Sequence, residues 1–108
     1  MAKVKPYGSE PHMVQFYCPG CKTSHALSKN AHEYNDDPEK PTFSPSILVR
    51  GWAQAEGYEY GKEIYCHSFV KEGMIQFLND CIHEMVGKTV ELPDIKIDLS
   101  NGFAIPDN

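Results

Sequence analysis

The sequence contains no long run of apolar residues, and its mean hydropathy is −0.47 over 108 residues. Because a membrane-spanning helix needs about 20 consecutive, mainly apolar residues, we expect no membrane segment. The N-terminal stretch MAKVKPYGSEPH carries charge but lacks the apolar core of a secretory signal. A cytoplasmic location is therefore expected.

Basic residues are also few. The chain has 10 Lys and Arg against 15 Asp and Glu, which gives a formal net charge of −5 at pH 7. Asp36, Asp37 and Glu39 form an acidic cluster, and no segment is dense in Lys or Arg. A protein that binds the phosphate backbone needs a concentrated positive face. The composition therefore disfavours nucleic acid as a partner.

The four cysteines include a C-x2-C pair, Cys18-Pro-Gly-Cys21, which is followed by His25. Two thiolates on so tight a turn converge on one cation, and zinc is the usual occupant of such a site. Two disulfides are the alternative, but a reducing cytosol favours a bound metal. A structural metal also adds stability that the core of so short a chain has difficulty supplying alone. We therefore predict a structural zinc.

A structural zinc needs four protein ligands, and the knuckle hairpin offers three of them, so the fourth is expected from a neighbouring strand. We expect the ligands to be Cys18, Cys21, His25 and Cys66. The alternative set uses all four cysteines and requires Cys81 to turn toward the knuckle. Because Cys81 falls in a predicted helix, where a cysteine is more often a small core residue, this set is less favoured. His67 is an outside candidate.

Alternation of apolar and polar residues predicts several strands. The run MVQFYC ends at Cys18, so the knuckle becomes the turn of a hairpin whose return strand carries His25, Ala26 and Leu27. The polar stretch from Ser28 to Lys40 predicts a loop.

Two further strands are predicted, one from Ile47 to Trp52 and one in the run EIYCHSFV, joined by a connection through Gly57 and Gly61. Because side chains alternate along a strand, Cys66 and His67 should lie on opposite faces.

The segment from Met74 to Val86 predicts the main helix, since apolar residues recur there at helical spacing and Gly87 provides a stop. Asp80 and His83 would lie on the same side of this helix. The tail ELPDIKIDLS predicts one more strand. We expect a single α+β domain over residues 1–108, with a core at about 13–99 and loose termini. It would comprise a small, mostly antiparallel sheet, a zinc knuckle and one main helix.

Four ordered motifs resemble a family of small phage and bacterial zinc-binding proteins of uncharacterised function. The motifs are CPGCKTSH, PTFSPSI, CHSFV followed by x-x-G-x-I-x-F, and DCIHEMVGKTVELP, and they span about Cys18 to Pro93. Members often carry an ammonia monooxygenase label, which does not suit a chain without a histidine cluster for copper. Some bacterial relatives are regarded as serine-type peptidases of ubiquitin-like conjugation systems.

The resemblance implies a catalytic role for Ser46, His67, Asp80 and His83. A serine nucleophile needs a histidine base and a group that orients the imidazole, and Ser46, His67 and Asp80 supply these types. His83 could replace His67 as the base, or donate to an oxyanion, and the sequence does not rank these roles. A zinc ion with four protein ligands would hold the loops in place and would not activate water.

These observations predict a small serine-type hydrolase or peptidase with a structural zinc, acting on a ubiquitin-like or other protein tail. The alternative is a non-enzymatic, zinc-stabilised module that binds a protein partner in a bacterial cell or a phage-infected host. Metal-assisted hydrolysis, with zinc held by His25, His67 and His83, is disfavoured because the chain has no H-E-x-x-H or similar helical pair.

Overall fold

The structure, a computed structural model, describes residues 2–52 and 63–107. This part of the chain contains ten strands and no helix. In chain order the strands are β1 Lys5–Pro6, β2 Met13–Cys18, β3 Thr23–Ser28, β4 Glu33–Tyr34, β5 Phe43–Trp52, β6 Glu63–Lys71, β7 Met74–Phe77, β8 Thr89–Glu91, β9 Ile95–Ile97 and β10 Ala104–Pro106.

The strands form three antiparallel sheets within the described residues. β4, β5, β6, β7 and β8 make a five-stranded sheet in that order, β1, β2 and β3 make a three-stranded sheet, and β9 pairs with β10. The predicted strand MVQFYC and its hairpin partner across the knuckle are confirmed as β2 and β3. The predicted strand EIYCHSFV is confirmed as most of β6.

The helix predicted from Met74 to Val86 is wrong, and so is the α+β class, because the described fold is mostly β. β7 alternates between exposed and buried side chains, with Ile75 and Phe77 turned into the core. A two-residue turn, Glu72 and Gly73, joins β6 to β7, and φ is 51° and 83° at these residues. Positive φ at both positions matches the twist of paired strands, so the chain reverses into a hairpin instead of a helix.

The two larger sheets pack against each other across a shared core. Phe16 of β2 and Phe43 of β5 have ring centroids 6.3 Å apart. Alternation along β6 buries Ile64, Cys66 and Val70 in this core. His67 therefore belongs to the opposite, outer face of the five-stranded sheet. In the described segments no helix has the length and apolarity needed to cross a membrane. The predicted connection through Gly57 and Gly61 lies outside the described residues.

The chain ends, predicted to be loose, carry β1 and β10. Both are tied to β2 by Gln15, whose side chain is 0% exposed. Its Nε2 donates to the carbonyl oxygens of Pro6 at 3.2 Å and Gly102 at 3.0 Å, and its Oε1 accepts from the Ala104 N–H at 2.8 Å. A buried amide with three satisfied bonds positions both terminal segments against the hairpin.

Substituting Gln15→Leu should lower the free energy of unfolding by about 1–3 kcal/mol, because it leaves buried backbone groups of both terminal segments without partners. Urea denaturation measures the change. The matched control is Gln76→Leu on the exposed face of β7, which should change stability by less than about 0.5 kcal/mol. Equal effects of the two substitutions would contradict this role for Gln15.

Candidate active site and metal centre

Strand β5 is irregular where it carries Ser46. Its pairing with β6 shifts register, so that residues 44–46 lie opposite Phe69. Such a bulge re-aims a side chain and is frequent beside active sites. The Ser44–Pro45 peptide bond within it is cis. His32 Nε2–H donates to the carbonyl oxygen of Ser46 at 3.2 Å, which ties the bulge to the preceding loop.

Three polar side chains form a hydrogen-bonded chain that starts at this bulge. Ser46 Oγ lies 2.9 Å from His67 Nε2, and His67 Nδ1 lies 3.1 Å from Asp80 Oδ2. An ionised carboxylate only accepts, so Nδ1 carries the proton and Nε2 accepts from the Ser46 hydroxyl. The side chains of His67 and Asp80 are 28% and 46% exposed, so the site is open to a substrate.

The segment that supplies Asp80 runs along β6 and clamps the backbone of His67. The Leu78 N–H donates to the His67 carbonyl at 2.9 Å. The Cys81 thiol donates to the same carbonyl at 3.2 Å, and its sulfur accepts the His67 N–H at 3.3 Å. Cys81 is buried at 6% exposure, so this clamp is shielded from water. His67 and Asp80 therefore lie on two segments bound directly to each other.

A second cluster lies on the buried face of the same sheet. It contains three cysteines and one histidine whose ligand atoms all lie within 4.8 Å of one another: Cys18, Cys21, Cys66 and His83. Cys18 and Cys21 come from the knuckle, where the Cys21 N–H donates to Cys18 Sγ at 3.4 Å and the Lys22 N–H donates to the Cys18 carbonyl at 2.8 Å. The cluster could hold a metal ion and joins the two larger sheets.

The spacing of the cluster suits tetrahedral zinc. Bonds of about 2.3 Å to sulfur and about 2.0 Å to nitrogen would place two sulfurs about 3.8 Å apart and a sulfur and a nitrogen about 3.5 Å apart. Cys18 Sγ and Cys66 Sγ are 3.9 Å apart, and His83 Nε2 is 3.4 Å from Cys66 Sγ. These separations are too long for a disulfide and close to those of a shared cation.

Gly20 makes room for His83 over the knuckle. A Cβ at Gly20 would overlap the His83 imidazole. On its other side the ring packs edge-on against Phe77, with centroids 4.6 Å apart. The Met85 N–H donates to His83 Nδ1 at 3.2 Å. Metal binding at Nε2 would place the ring proton on Nδ1, so this last contact must open when the site is loaded.

The electrostatics of the cluster favour a cation. Burial raises the pKa of the Cys18 thiol, but interactions with Cys21, Cys66 and His25 outweigh this effect and hold that pKa well below its ordinary value. Hydrogen bonding to Cys18 in turn raises the pKa of both Cys21 and Cys66, and burial adds to the rise. Burial lowers the pKa of His83, which keeps its imidazole neutral. Three thiolates can coexist here only with a positive ion between them.

Three residues lie elsewhere than the predicted sites place them. His83, a candidate base, lies with the cysteines and not with Ser46. His25, an expected ligand, stays outside the cluster, and its Nε2 is buried with no hydrogen-bond partner among the described residues. Its strand position opposite Phe16 brings it near Cys18. Cys81, the alternative ligand, is engaged with His67. Gly20, which the sequence predicts only as part of the knuckle turn, leaves the space that the His83 ring occupies.

Two short stretches of chain connect the centres. Cys66 and His67 are adjacent in β6 and point to opposite faces, as the predicted alternation requires. Asp80 and His83 belong to one turn region, yet Asp80 reaches the outer face and His83 the buried cluster. They do not share one side of a helix, contrary to the prediction from the sequence. Each of these two short stretches therefore contributes one residue to the hydrogen-bonded chain and one residue to the buried cluster.

Comparison with known families identifies the chain's relatives. Residues 2–78, well over half of the sequence, match the family described as bacterial ubiquitination-like system serine protease (BubE). The chain belongs to this family. The match confirms the resemblance noted from the motifs and includes Ser46 and His67, whereas Asp80 and His83 lie beyond it. No curated protein and no solved structure gives a significant match.

Substituting Gly20→Ala should displace His83 and weaken zinc binding by more than the roughly 10–100-fold typical for loss of an outer-shell partner. Competition with a chromophoric chelator measures the affinity. In a His83→Ala background the added methyl group should have little effect, because the ring that it would strike is absent.

His25→Ala is the control for the ligand set and should weaken zinc binding less than His83→Ala. If Gly20→Ala costs as much in the His83→Ala background as in the wild type, its effect does not act through His83. If His25→Ala is the more damaging substitution, the fourth ligand is His25.

Proposed function

We propose that the chain is a serine-type peptidase in which Ser46 is the nucleophile, His67 the general base and Asp80 the group that orients His67. The hydrogen-bonded chain from Ser46 through His67 to Asp80 carries this proposal. Such a sequence of contacts activates a hydroxyl on many unrelated folds and is recognised by its geometry. A module that only binds a partner has no need of it, so the arrangement favours an enzyme.

The proposed reaction has two halves. Ser46 Oγ attacks the substrate carbonyl carbon while His67 Nε2 takes the hydroxyl proton, and Asp80 stabilises the imidazolium through Nδ1–H. The tetrahedral intermediate then collapses, the C–N bond breaks, and Nε2 returns the proton to the leaving amine. A water molecule repeats the sequence on the acyl-enzyme, which releases a carboxylic acid and restores Ser46.

The substrate is a protein. The family's description assigns its members to a bacterial ubiquitination-like system. Ser46 and His67 lie on an open sheet face, which an extended protein tail can reach. We infer that the tail of a ubiquitin-like modifier, or a bond formed through that tail, is what this site cleaves.

The metal of the proposed enzyme is a structural zinc held by the four residues of the buried cluster. Four protein ligands complete tetrahedral coordination and leave no position for a reacting water. Zinc supplies a cross-link between the knuckle, β6 and the turn region that follows β7. His67 and Asp80 are held by the last two of these segments, so the metal positions the catalytic groups without touching the substrate.

A fluorophosphonate probe should label the wild-type protein on Ser46, because only an activated serine hydroxyl reacts at an appreciable rate. Intact-mass spectrometry, with peptide mapping, detects one adduct. Ser46→Ala should abolish labelling, and Ser9→Ala, an exposed serine outside the site, should leave it unchanged. Labelling of the Ser46→Ala variant, or none of the wild type, would remove Ser46 as the nucleophile.

Removing the metal with a strong chelator should lower the thermal midpoint by at least about 10 °C, since metal binding energy contributes directly to folding in so small a protein. Differential scanning calorimetry measures the shift. At a temperature where the metal-free protein stays folded, Ser46 labelling should also slow, because His83 no longer anchors the segment that carries Asp80. An unchanged midpoint in chelator would refute the structural role of zinc.

A further inference from the structure

A concave pocket adjoins the proposed nucleophile on the outer face of the five-stranded sheet. Its volume is about 550 Å³, and it is lined chiefly by side chains of β5, β6, β7 and β8. Volumes of about 300–1,000 Å³ are typical of ligand-binding pockets. The lining residues used below are Ser44, Phe69, Met74, Gln76 and Thr89.

The register of the sheet places this pocket beside Ser46. Phe69 lies opposite the three-residue bulge that contains Ser46, and it lies two residues from His67 on the same face of β6. Two residues along a strand correspond to about 7 Å. Ser44, at the start of the bulge, lines the pocket as well. The pocket and the Ser46–His67 pair are thus parts of one surface.

Two large apolar side chains of the pocket are exposed. Phe69 and Met74 retain 45% and 39% exposure, although both are large hydrophobic side chains. Leu48, the cross-strand neighbour of His67, is 48% exposed on the same face. Exposed apolar side chains that cluster around a reactive group indicate a binding surface, whereas isolated ones carry no such meaning.

Polar groups at the pocket edge suit a peptide backbone. Gln76 pairs directly with Phe69 across β6 and β7, and Thr89 pairs with Gln76 across β7 and β8. Their side chains donate and accept hydrogen bonds, so they can bind a substrate's amide groups while Phe69 and Met74 contact its side chain. Lys71 and Glu72 also line the pocket and carry opposite charges, so the lining residues have no formal net charge that would select a charged substrate residue.

We infer that this pocket binds a large apolar side chain of the substrate, located on the acyl side of the cleaved bond and within about four residues of it. This inference rests on the proposed function. When a protein tail is cleaved near its end, the residues of the tail lie on the acyl side of the broken bond. Phe69 and Met74 are then specificity-determining residues.

The test uses peptidyl diphenyl phosphonates, which phosphonylate an activated serine and carry substrate residues on the acyl side only. Each of the four positions on the acyl side, including the one next to phosphorus, is varied among Gly, Leu, Phe and Asp, with Gly at the other three. Leu or Phe at one position should raise the second-order rate of Ser46 labelling by about 10–100-fold over Gly. Asp at that position should give no gain.

Phe69→Ala and Met74→Ala should each reduce this preference at least severalfold, where the preference is the ratio of the labelling rate with Leu or Phe to the rate with Gly on the same variant. Leu99→Ala, which removes a side chain 96% exposed and outside the pocket, should leave this ratio unchanged. Absence of any side-chain preference, or a preference that both pocket variants retain, overturns the inference. Absence of fluorophosphonate labelling in the wild type instead overturns the proposed function, and the inference with it.

Discussion

Alternation along strand β6 is the constraint on which both centres depend. Cys66 points into the space between the sheets and His67 points to the outer face, so one peptide unit belongs to both centres. The chain following β7 repeats the arrangement, with Asp80 directed to His67 and His83 to the cysteines. Movement of either the strand or the turn would disturb the proposed metal ligands and the proposed catalytic groups together. In so short a chain, one set of contacts thus positions both groups of residues.

The buried cluster joins the two larger sheets of this fold. The knuckle belongs to the three-stranded sheet and Cys66 to the five-stranded sheet. The rings of Phe16 and Phe43 form a hydrophobic contact between the same two sheets. Without a cation, burial and mutual hydrogen bonding oppose ionisation of Cys21 and Cys66. A bound zinc ion reverses that balance, because it stabilises all the thiolates at once. Metal binding by this cluster would therefore be coupled to the docking of the two sheets.

Local signals in the sequence predicted the parts of the fold that depend on neighbouring residues. Alternation in MVQFYC and EIYCHSFV gave the strands, and the Pro-Gly turn gave the knuckle hairpin. The helix prediction for the segment after Gly73 was wrong because Ile75, Leu78 and Ile82 recur at helical spacing by chance. The two-residue turn at Glu72 and Gly73 outweighed that spacing, since it directs the chain back along β6. A short alternating run beside such a turn should have favoured a hairpin.

The site was predictable in its residue types but not in all of its roles. Family resemblance named Ser46, His67, Asp80 and His83, and the fold brings the first three into hydrogen-bond contact. The presence of His83 instead of His25 in the buried cluster depends on long-range packing, because the turn after β7 has to fold over Gly20 to bring His83 to the cysteines. Sequence distance cannot indicate which histidine arrives there.

The most direct test is a crystal structure of the protein after reaction with a fluorophosphonate, with anomalous data collected at the zinc edge. The account predicts one zinc peak bound by Cys18, Cys21, Cys66 and His83, and a phosphonyl group on Ser46 Oγ beside His67. A peak bound by His25 in place of His83, or by His67, would contradict the separation of structural and catalytic roles. An adduct on a residue other than Ser46 would contradict the proposed chemistry.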